Sequence, residues 1–306
     1  MNKSITGMAL LVLLLALVPL AGSRYLIYLV TEIQIFALFA LSFNLLLGYG
    51  GLISFGHAAW FSIGAYASAI LLTTLGLPFL LAFPAAVAVT ALAAALIGYF
   101  CVKLTEIYFS MLTLAFGQLV WAIAFKWVSV TGGDTGFIGV AVPEFLDSPV
   151  RFFYFSLCVV LLCATVLWVI VRSAYGMTLV ATRENRNRAE FIGVNVRRVQ
   201  LVAFTLAGTF AGVAGALFTV FNHSVFVETA WWSTSAEVMI MSILGGVGSF
   251  VGPVIGAAVL IFLDRTVTEY TQYWPSVMGV ILLAVLFFMP TGIAGFLNRR
   301  RGGTRR

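Results

Sequence analysis

Long apolar runs recur along almost the whole chain and decide what it can fold into. Several reach the roughly 20 residues that a helix needs to cross a bilayer. Only 9% of the 306 residues are charged, whereas about 25% is usual in soluble domains. The sequence therefore predicts an all-α, polytopic transmembrane protein, and it excludes a soluble enzyme, a disordered chain and a secreted disulfide scaffold. The ten runs are residues 5–20, 26–47, 52–75, 80–102, 107–128, 152–171, 199–221, 236–247, 251–263 and 275–289.

Basic residues predict the orientation of these runs. Eleven of the 17 Lys and Arg residues lie in the segment 172–198 and the tail 299–306, and such clusters mark the cytoplasmic side. Two segments on the same side of the membrane must be separated by an even number of crossings. This holds for 172–198 and the tail only if residues 236–263 form two short helices instead of one span. We therefore expect about ten crossings, both termini in the cytoplasm, some short or broken helices, and a periplasmic loop at residues 129–151.

One transmembrane domain is expected over residues 1–306, because no segment between the runs is large enough to bury a separate core. The first run has the features of a signal peptide, with Lys3 before it and small residues at its end. A first membrane span has the same features, and nine further runs favour retention. The sequence leaves both interpretations open.

Two apolar segments are interrupted by glycine, at residues 48–57 and 243–253. Backbone freed from a helix must face protein or water inside a membrane, so broken segments often line a transport pathway. Glycines can equally allow close helix packing, and Gly248, Gly252 and Gly256 have the i+4 spacing typical of it. Both interpretations stay open. The candidate pathway residues in these segments are Gly51, Ser54, Gly56, His57, Gly245, Gly246, Gly248, Gly252 and Pro253.

Ionisable residues are scarce inside the apolar runs. Glu32, Lys126 and Glu237 fall near predicted span ends, where their charges reach water easily. His57 lies deeper and is either a hydrogen-bonded structural residue or a proton relay. No carboxylate set typical of ion-coupled carriers and no metal-ligand spacing is evident. The sequence therefore favours either an external energy source or a passive channel.

The segment 172–198 is the most polar part of the chain, with six basic and two acidic residues. Residues 177–191 have the composition of a helix, and Gly193 can end it in a left-handed conformation. This segment is either a solvated topology loop or a docking helix for a cytoplasmic partner. The chain contains no G-x-x-x-x-G-K-[ST] phosphate loop, so it does not hold ATP in that manner.

Four stretches of the sequence, taken together, are specific to one known family. Over about residues 41–295 the chain resembles the LivM-type permeases of the branched-chain (hydrophobic) amino acid ABC importers. The stretches are GLISFGHAAWFSIGAY at residues 51–66, YFSMLTLAFGQ at 108–118 with the TGGDTG turn at 131–136, the segment 175–195, and LGGVGSFVGP at 244–253. Thr113 and Gln118 of the second stretch join the candidate pathway residues.

The resemblance implies a non-catalytic permease subunit in a bacterial inner membrane. Its expected partners are a second, LivH-like permease, two cytoplasmic ATPase subunits, and a periplasmic or lipid-anchored solute-binding protein; membrane lipid surrounds it, and no nucleic acid is expected. The chain itself needs no cofactor or metal, since ATP and Mg²⁺ belong to the ATPases. The resemblance assigns an ATPase-coupling loop to Tyr175, Gly176, Arg183, Glu184, Asn185, Ala189 and Gly193.

Two alternatives remain at this stage. Within the same family, the substrate could be urea or a short-chain amide. In a different class, the chain could be a stand-alone channel or a secondary carrier, although the scarcity of buried carboxylates argues against a carrier.

Overall fold

The computed structural model describes residues 15–104, 106–270, 276–277, 279–281, 283 and 292–295. Nearly all of the regular structure is helical, which confirms the all-α prediction. The main helices are α1 (Arg24–Asn44), α2 (Ala58–Ala69), α3 (Phe79–Cys101), α4 (Glu106–Lys126), α5 (Pro149–Arg172), α6 (Ala174–Glu184), α7 (Arg186–Phe191), α8 (Val196–Asn222), α9 (Trp232–Gly245) and α10 (Gly252–Tyr270). Short elements are the helical turn Val128–Thr131, the 3₁₀ turns Val18–Ala21, Gly133–Thr135, Glu144–Leu146 and Val227–Ala230, and the strands β1 (Phe137–Ile138) and β2 (Ser224–Val225).

Among the described residues, five helical stretches are long and apolar enough to cross a membrane. A sixth, shorter apolar stretch covers Ala58–Thr74. The first predicted run lies largely outside the described residues, as does the last, so the count of ten crossings and the placement of the termini stay predictions. The long stretches are Arg24–Tyr49, Phe79–Cys101, Ile107–Lys126, Pro149–Arg172 and Val196–Asn222.

Helices α1, α2 and α8 form the centre of the protein. Helix α8 packs along α1, α2 and α3, while α1 also contacts α5, α9 and α10. The peripheral helices present large apolar side chains outwards: on α3, Leu80 is 80% exposed and Leu92 is 71% exposed. Such exposure is unfavourable in water and ordinary against lipid tails, so the burial pattern agrees with a membrane protein.

Small residues allow the central helices to approach closely. A Cβ on Gly212 would lie 2.6 Å from Cγ2 of Thr90 on α3, and one on Gly208 would lie 2.6 Å from Cβ of Ala94. Real Cβ atoms do not come so close to other atoms. These two glycines of α8 therefore serve helix packing, as their i+4 spacing indicates.

The predicted break within residues 236–263 is confirmed. Helix α9 ends at Gly245 and α10 begins at Gly252, and the two helices pack against each other through glycine. A Cβ on Gly245 would overlap the backbone of Gly252 and approach that of Gly256. Gly248 does not belong to this packing stripe: it lies in the connection before α10, with nothing within 4 Å of an added Cβ. The expected i+4 stripe is thus wrong at Gly248, because the helix begins only at Gly252.

The loop 129–151 folds back on the far end of α8. Strand β1 pairs antiparallel with β2, Phe137 opposite Val225 and Ile138 opposite Ser224. Helices α5 and α8 both lead from this end of the molecule to the polar segment 172–198. The loop and the polar segment therefore lie at opposite ends of the bundle, as the predicted periplasmic and cytoplasmic assignments require.

Candidate functional site

The predicted coupling loop forms two short helices instead of one. Asn185 has φ −158° and ψ 100°, an extended conformation that ends α6, and its side chain accepts a hydrogen bond from the Arg188 amide at 2.8 Å. It thereby caps the start of α7, a role that asparagine fills well. The prediction of a single helix over residues 177–191 is wrong for this reason. Gly193 follows α7 with φ +90°, so the predicted left-handed residue is confirmed.

Helix α6 is fixed to the membrane helices by buried contacts along one face. The Tyr175 hydroxyl donates a hydrogen bond to the Val199 carbonyl at 2.8 Å. Burial raises the pKa of Tyr175, so this hydroxyl keeps its proton. Gly176 lies against the backbone of Val171, where a Cβ would overlap, and Leu179 is fully buried. The segment is therefore a packed part of the fold and not a free loop.

Arg183 joins this helix to the first glycine-broken segment. Its Nη1 donates a hydrogen bond to the carbonyl of Gly48. Its aliphatic stem lies over Gly51, where a Cβ would come 2.5 Å from Arg183 Cγ. Gly51 also has φ +67°, so glycine is required there by conformation and by space. Two groups of residues predicted separately, one for coupling and one for the pathway, are thus in direct contact.

The first broken segment is a genuine interruption of α1. The helix widens into a π-helical turn at Leu45–Tyr49, and regular structure resumes only at Ala58. Gly56 packs so closely on α4 that a Cβ would overlap the carbonyl of Thr113. The Ser110 hydroxyl donates to the Ile53 carbonyl at 2.7 Å. The structure therefore brings together two predicted pathway residues, Gly56 and Thr113.

The two broken segments also meet each other. The Asn44 side-chain amide donates to the Ser249 carbonyl at 3.3 Å, and a Cβ on Gly48 would lie 2.7 Å from the Val247 carbonyl. Beside the breaks, the Ala58 amide at the start of α2 donates to the Ser235 hydroxyl of α9 at 2.9 Å. The breaks at residues 48–57 and 243–253 therefore form one junction, which we call the glycine junction.

His57 lies in the interior of this junction and is completely buried. Its Nε2 and the Ser42 hydroxyl oxygen are 2.9 Å apart, and its ring stacks on Phe39 with centroids 5.4 Å apart. Within the described part of the chain, His57 Nδ1, Ser54 Oγ and Asn44 Oδ1 are buried without a hydrogen-bond partner. Such groups are costly in a finished core, so the junction carries polar atoms that packing alone does not require.

The remaining predicted residues divide between the junction and its surroundings. Gly246 has φ +110°. It packs against Gly292, where an added Cβ would come 2.5 Å from the Gly246 nitrogen. Gln118 is only partly buried, and none of the contacts above joins it to the junction. Ala189 is buried in α7, whereas Glu184 is exposed and pairs with Arg183 at 3.7 Å.

Comparison with known proteins shows the family. Residues 25–290 match the family described as "Branched-chain amino acid transport system / permease component". The chain belongs to this family. The branched-chain amino acid permease protein LivM of Salmonella typhimurium is 28% identical, the alignment covering 94% of this chain and 73% of the relative. LivM of Escherichia coli is also 28% identical, over 93% and 73%.

The second type of permease in such systems is also similar. LivH of Escherichia coli is 26% identical over 85% of this chain and 91% of the relative. No solved structure matches the chain significantly. As a member of this permease family with several membrane-crossing helices, the chain is a multi-pass membrane protein. Escherichia coli LivM and LivH are both permease proteins of a high-affinity branched-chain amino acid transport system, and this chain is similar to both.

Several residues of the glycine junction are not predicted from the sequence. Ser42, Asn44 and Ser249 supply its side-chain and backbone contacts, yet none of them was singled out. A signal was present: Ser42 and Asn44 are polar residues inside an apolar run, two positions apart and next to the glycines. The exposed apolar pair Phe191 and Ile192 beside Gly193 was missed as well.

Proposed function

We propose that this chain is a permease subunit of an ABC importer that moves branched-chain or hydrophobic amino acids into the cytoplasm. It works in a bacterial inner membrane beside a LivH-like permease. Two cytoplasmic ATPase subunits bind ATP and Mg²⁺ and supply the energy, and a solute-binding protein delivers the substrate from outside. We call the polar segment 172–198 the coupling segment. The observation that carries this proposal is the contact between Arg183 of the coupling segment and Gly48 of the glycine junction.

The exposed face of α6 and α7 suits an ATPase partner. Phe191 is 91% exposed and Ile192 is 75% exposed, although this segment is otherwise rich in charge. Apolar side chains held out on a polar segment are typical of protein–protein contacts. Arg186 and Glu190 form an ion pair at 3.2 Å on the same helix, beside the two apolar residues.

These contacts connect α6 to both breaks, so a movement of α6 can be transmitted to them. Tyr175, Leu179 and Arg183 fix α6 to the membrane helices, so a displacement of α6 acts on the carbonyl of Gly48. Gly48 neighbours Asn44, and Asn44 binds the backbone of the second break at Ser249. Both breaks therefore respond together when an ATPase moves the coupling segment. For this to drive transport, nucleotide must bind the two states of the complex with different affinity.

The test is copurification of the ATPase with the permease in mild detergent. Replacing Phe191 and Ile192 with serine should remove the ATPase from the purified complex while the chain still inserts into the membrane. The matched control is Ile138→Ser, which changes an equally exposed apolar residue at the opposite end of the bundle. Retention of the ATPase by the double variant would contradict docking at α7.

Uptake measurements separate the remaining functions. Vesicles that contain the complete complex should take up radiolabelled leucine, isoleucine or valine only with ATP inside and functional ATPase subunits. Uptake that continues with an inactive ATPase would identify a channel or secondary carrier. Competition by urea or short amides, with none by leucine, would identify the other substrate class.

A further inference from the structure

A cavity opens at the end of the bundle that lies opposite the coupling segment. Helix α8 has 27 residues and is therefore about 40 Å long, and the cavity lies at its far end. Its volume is about 510 Å³, within the range of about 300–1,000 Å³ that is common for small-molecule sites. The lining residues are Phe218, Asn222, Ser224, Phe226, Glu228 and Thr229.

The backbone around the cavity is held in a specific shape. Helix α8 ends at Asn222, and His223 directly after it has φ +54°, a conformation that residues other than glycine seldom adopt. This turn leads directly into strand β2, which pairs with β1 of the loop 129–151. A Cβ on Gly136 would lie 2.5 Å from Phe226 Cδ1, so the loop packs on Phe226. The rim is therefore built by tertiary contacts and is not a loose loop.

The floor of the cavity belongs to a cluster of aromatic rings. Phe218 packs on Phe61 with centroids 5.2 Å apart, and Phe61 packs on Phe39 at 4.7 Å. Phe39 in turn stacks on His57 of the glycine junction. Successive ring contacts therefore connect the lining of the cavity to His57 of the glycine junction.

The polar groups on the lining are not equivalent. The Ser224 hydroxyl donates to the Asn222 carbonyl at 3.1 Å, and the Thr229 hydroxyl donates to the Phe226 carbonyl at 2.8 Å. Their protons are therefore committed to the backbone. Glu228 supplies a carboxylate, and Asn222 supplies a side-chain amide at the exposed end of the helix. One anionic acceptor and one neutral donor remain on a surface that also carries two phenyl rings.

We propose that this cavity is the outer binding site for the transported substrate, a zwitterionic α-amino acid with an apolar side chain. The Glu228 carboxylate binds the ammonium group, the Asn222 amide binds the carboxylate, and Phe218 and Phe226 receive the apolar side chain. Charge-assisted hydrogen bonds fix the backbone end of such a ligand, and the rings bury its side chain. This inference rests on the proposed function, because it names where that substrate is bound.

The position suits delivery from outside. A solute-binding protein on the loop 129–151 would release its ligand beside Phe226, since this loop pairs with β2 and packs on Phe226. The residue types of the lining suit such a ligand, because a carboxylate beside aromatic rings favours a cationic group with an apolar neighbour. An inorganic anion would gain little from either.

The experiment uses the complete complex in lipid nanodiscs and photo-leucine, a leucine analogue with a diazirine in its side chain. After illumination, peptide mapping by mass spectrometry should find the label on residues 217–231, and excess leucine should prevent it. Glu228→Gln should raise the concentration needed for half-maximal labelling about tenfold or more, because it removes a charge-assisted hydrogen bond. Phe226→Ala should shift the label or weaken it, while Glu228→Asp should restore part of the affinity.

The matched control is Glu144→Gln, which neutralises an exposed acid at the same end of the molecule but outside the cavity. It should label like the parent complex. Leucine uptake by the parent complex is measured in parallel. If uptake occurs and the label falls elsewhere or is absent, the outer site is overturned while the proposed function stands. Label on residues 217–231 that is unaffected by Glu228→Gln overturns the assigned role of the carboxylate. Absence of leucine, isoleucine and valine uptake overturns both proposals.

Discussion

The guanidinium group of Arg183 donates a hydrogen bond to the backbone carbonyl of Gly48, across 135 residues of sequence. This carbonyl lies in the π-helical turn Leu45–Tyr49, where the regular hydrogen bonding of α1 ends. A cation near carbonyls at a helix end is electrostatically favourable. One side chain of the coupling segment therefore stabilises the conformation of the break in the membrane helix.

Replacing Arg183 with alanine should remove the hydrogen bond that joins α6 to the break after α1. We expect the rate of ATP-driven leucine uptake to fall about tenfold or more, since a charge-assisted hydrogen bond is lost, while the ATPase still copurifies. Arg183→Lys should keep part of the rate. Uptake assays in inverted or right-side-out vesicles measure the effect.

A matched control for that variant is Arg186→Ala. Arg186 is also an arginine of the coupling segment, but it pairs with Glu190 on the exposed face of α7, where an ion pair contributes little. Its uptake should stay close to that of the parent. The more drastic double variant Ala181→Pro with Arg183→Glu should abolish uptake without loss of membrane insertion, and normal uptake there would refute the coupling role of α6.

Gly246 and Gly248 provide a matched pair in the second break. Gly246→Ala should destabilise the protein by about 1–3 kcal/mol, because φ +110° is strained for any residue with a Cβ. Gly246→Leu adds bulk beside Gly292 and should block assembly or transport. Gly248→Ala should be tolerated, since nothing lies within 4 Å of an added Cβ. Thermal unfolding followed by size-exclusion chromatography compares the three, and equal melting temperatures for the two alanine variants would contradict the packing described.

Asn44 should be sensitive because it joins the two breaks. Asn44→Ala removes the donor to the Ser249 carbonyl and should lower uptake more than it lowers expression, since helix α1 itself stays intact. Asn187→Ala changes an exposed asparagine of the coupling segment and serves as the control. If the Asn44 variant transports normally, the two breaks do not depend on this contact.

An ion pair joins α1 to α10. Arg265 contacts Glu32 through two hydrogen bonds, Nε to Oε2 at 3.0 Å and Nη2 to Oε1 at 2.5 Å. A double-mutant cycle with Glu32→Gln and Arg265→Gln should give a coupling energy of about 1 kcal/mol, because Arg265 is half exposed. Melting temperatures of the four proteins in detergent measure it, and strictly additive effects would show that the pair adds no stability.

The sequence predicts the structure well where local composition decides it. The apolar runs predict helices close to those observed. The glycines at 245–252 predict a real break because glycine disfavours a helix and readily adopts the positive φ seen at Gly246. Gly193 was assigned its left-handed conformation from position alone. The prediction of one helix is wrong at residue 185, where an asparagine side chain caps a new helix and divides the expected one.

The contacts between distant segments could not be derived in the same way. Nothing in the composition of residues 172–198 indicates that Arg183 reaches Gly48, or that Asn44 reaches Ser249. These pairings depend on how helices pack in three dimensions. The pairing of β1 with β2 is similar, since two residues per strand leave no recognisable alternation in the sequence.

The uninterrupted length of α8 has a consequence for regulation. One helix carries the cavity at one end and begins within the polar segment 172–198 at the other. A ligand that prefers one position of this helix changes the affinity for a partner bound at the opposite end, and thermodynamic reciprocity requires the partner to change the affinity for the ligand by the same factor. On the two proposals above, ligand occupancy of the outer face and binding of the ATPase would therefore report one shared equilibrium.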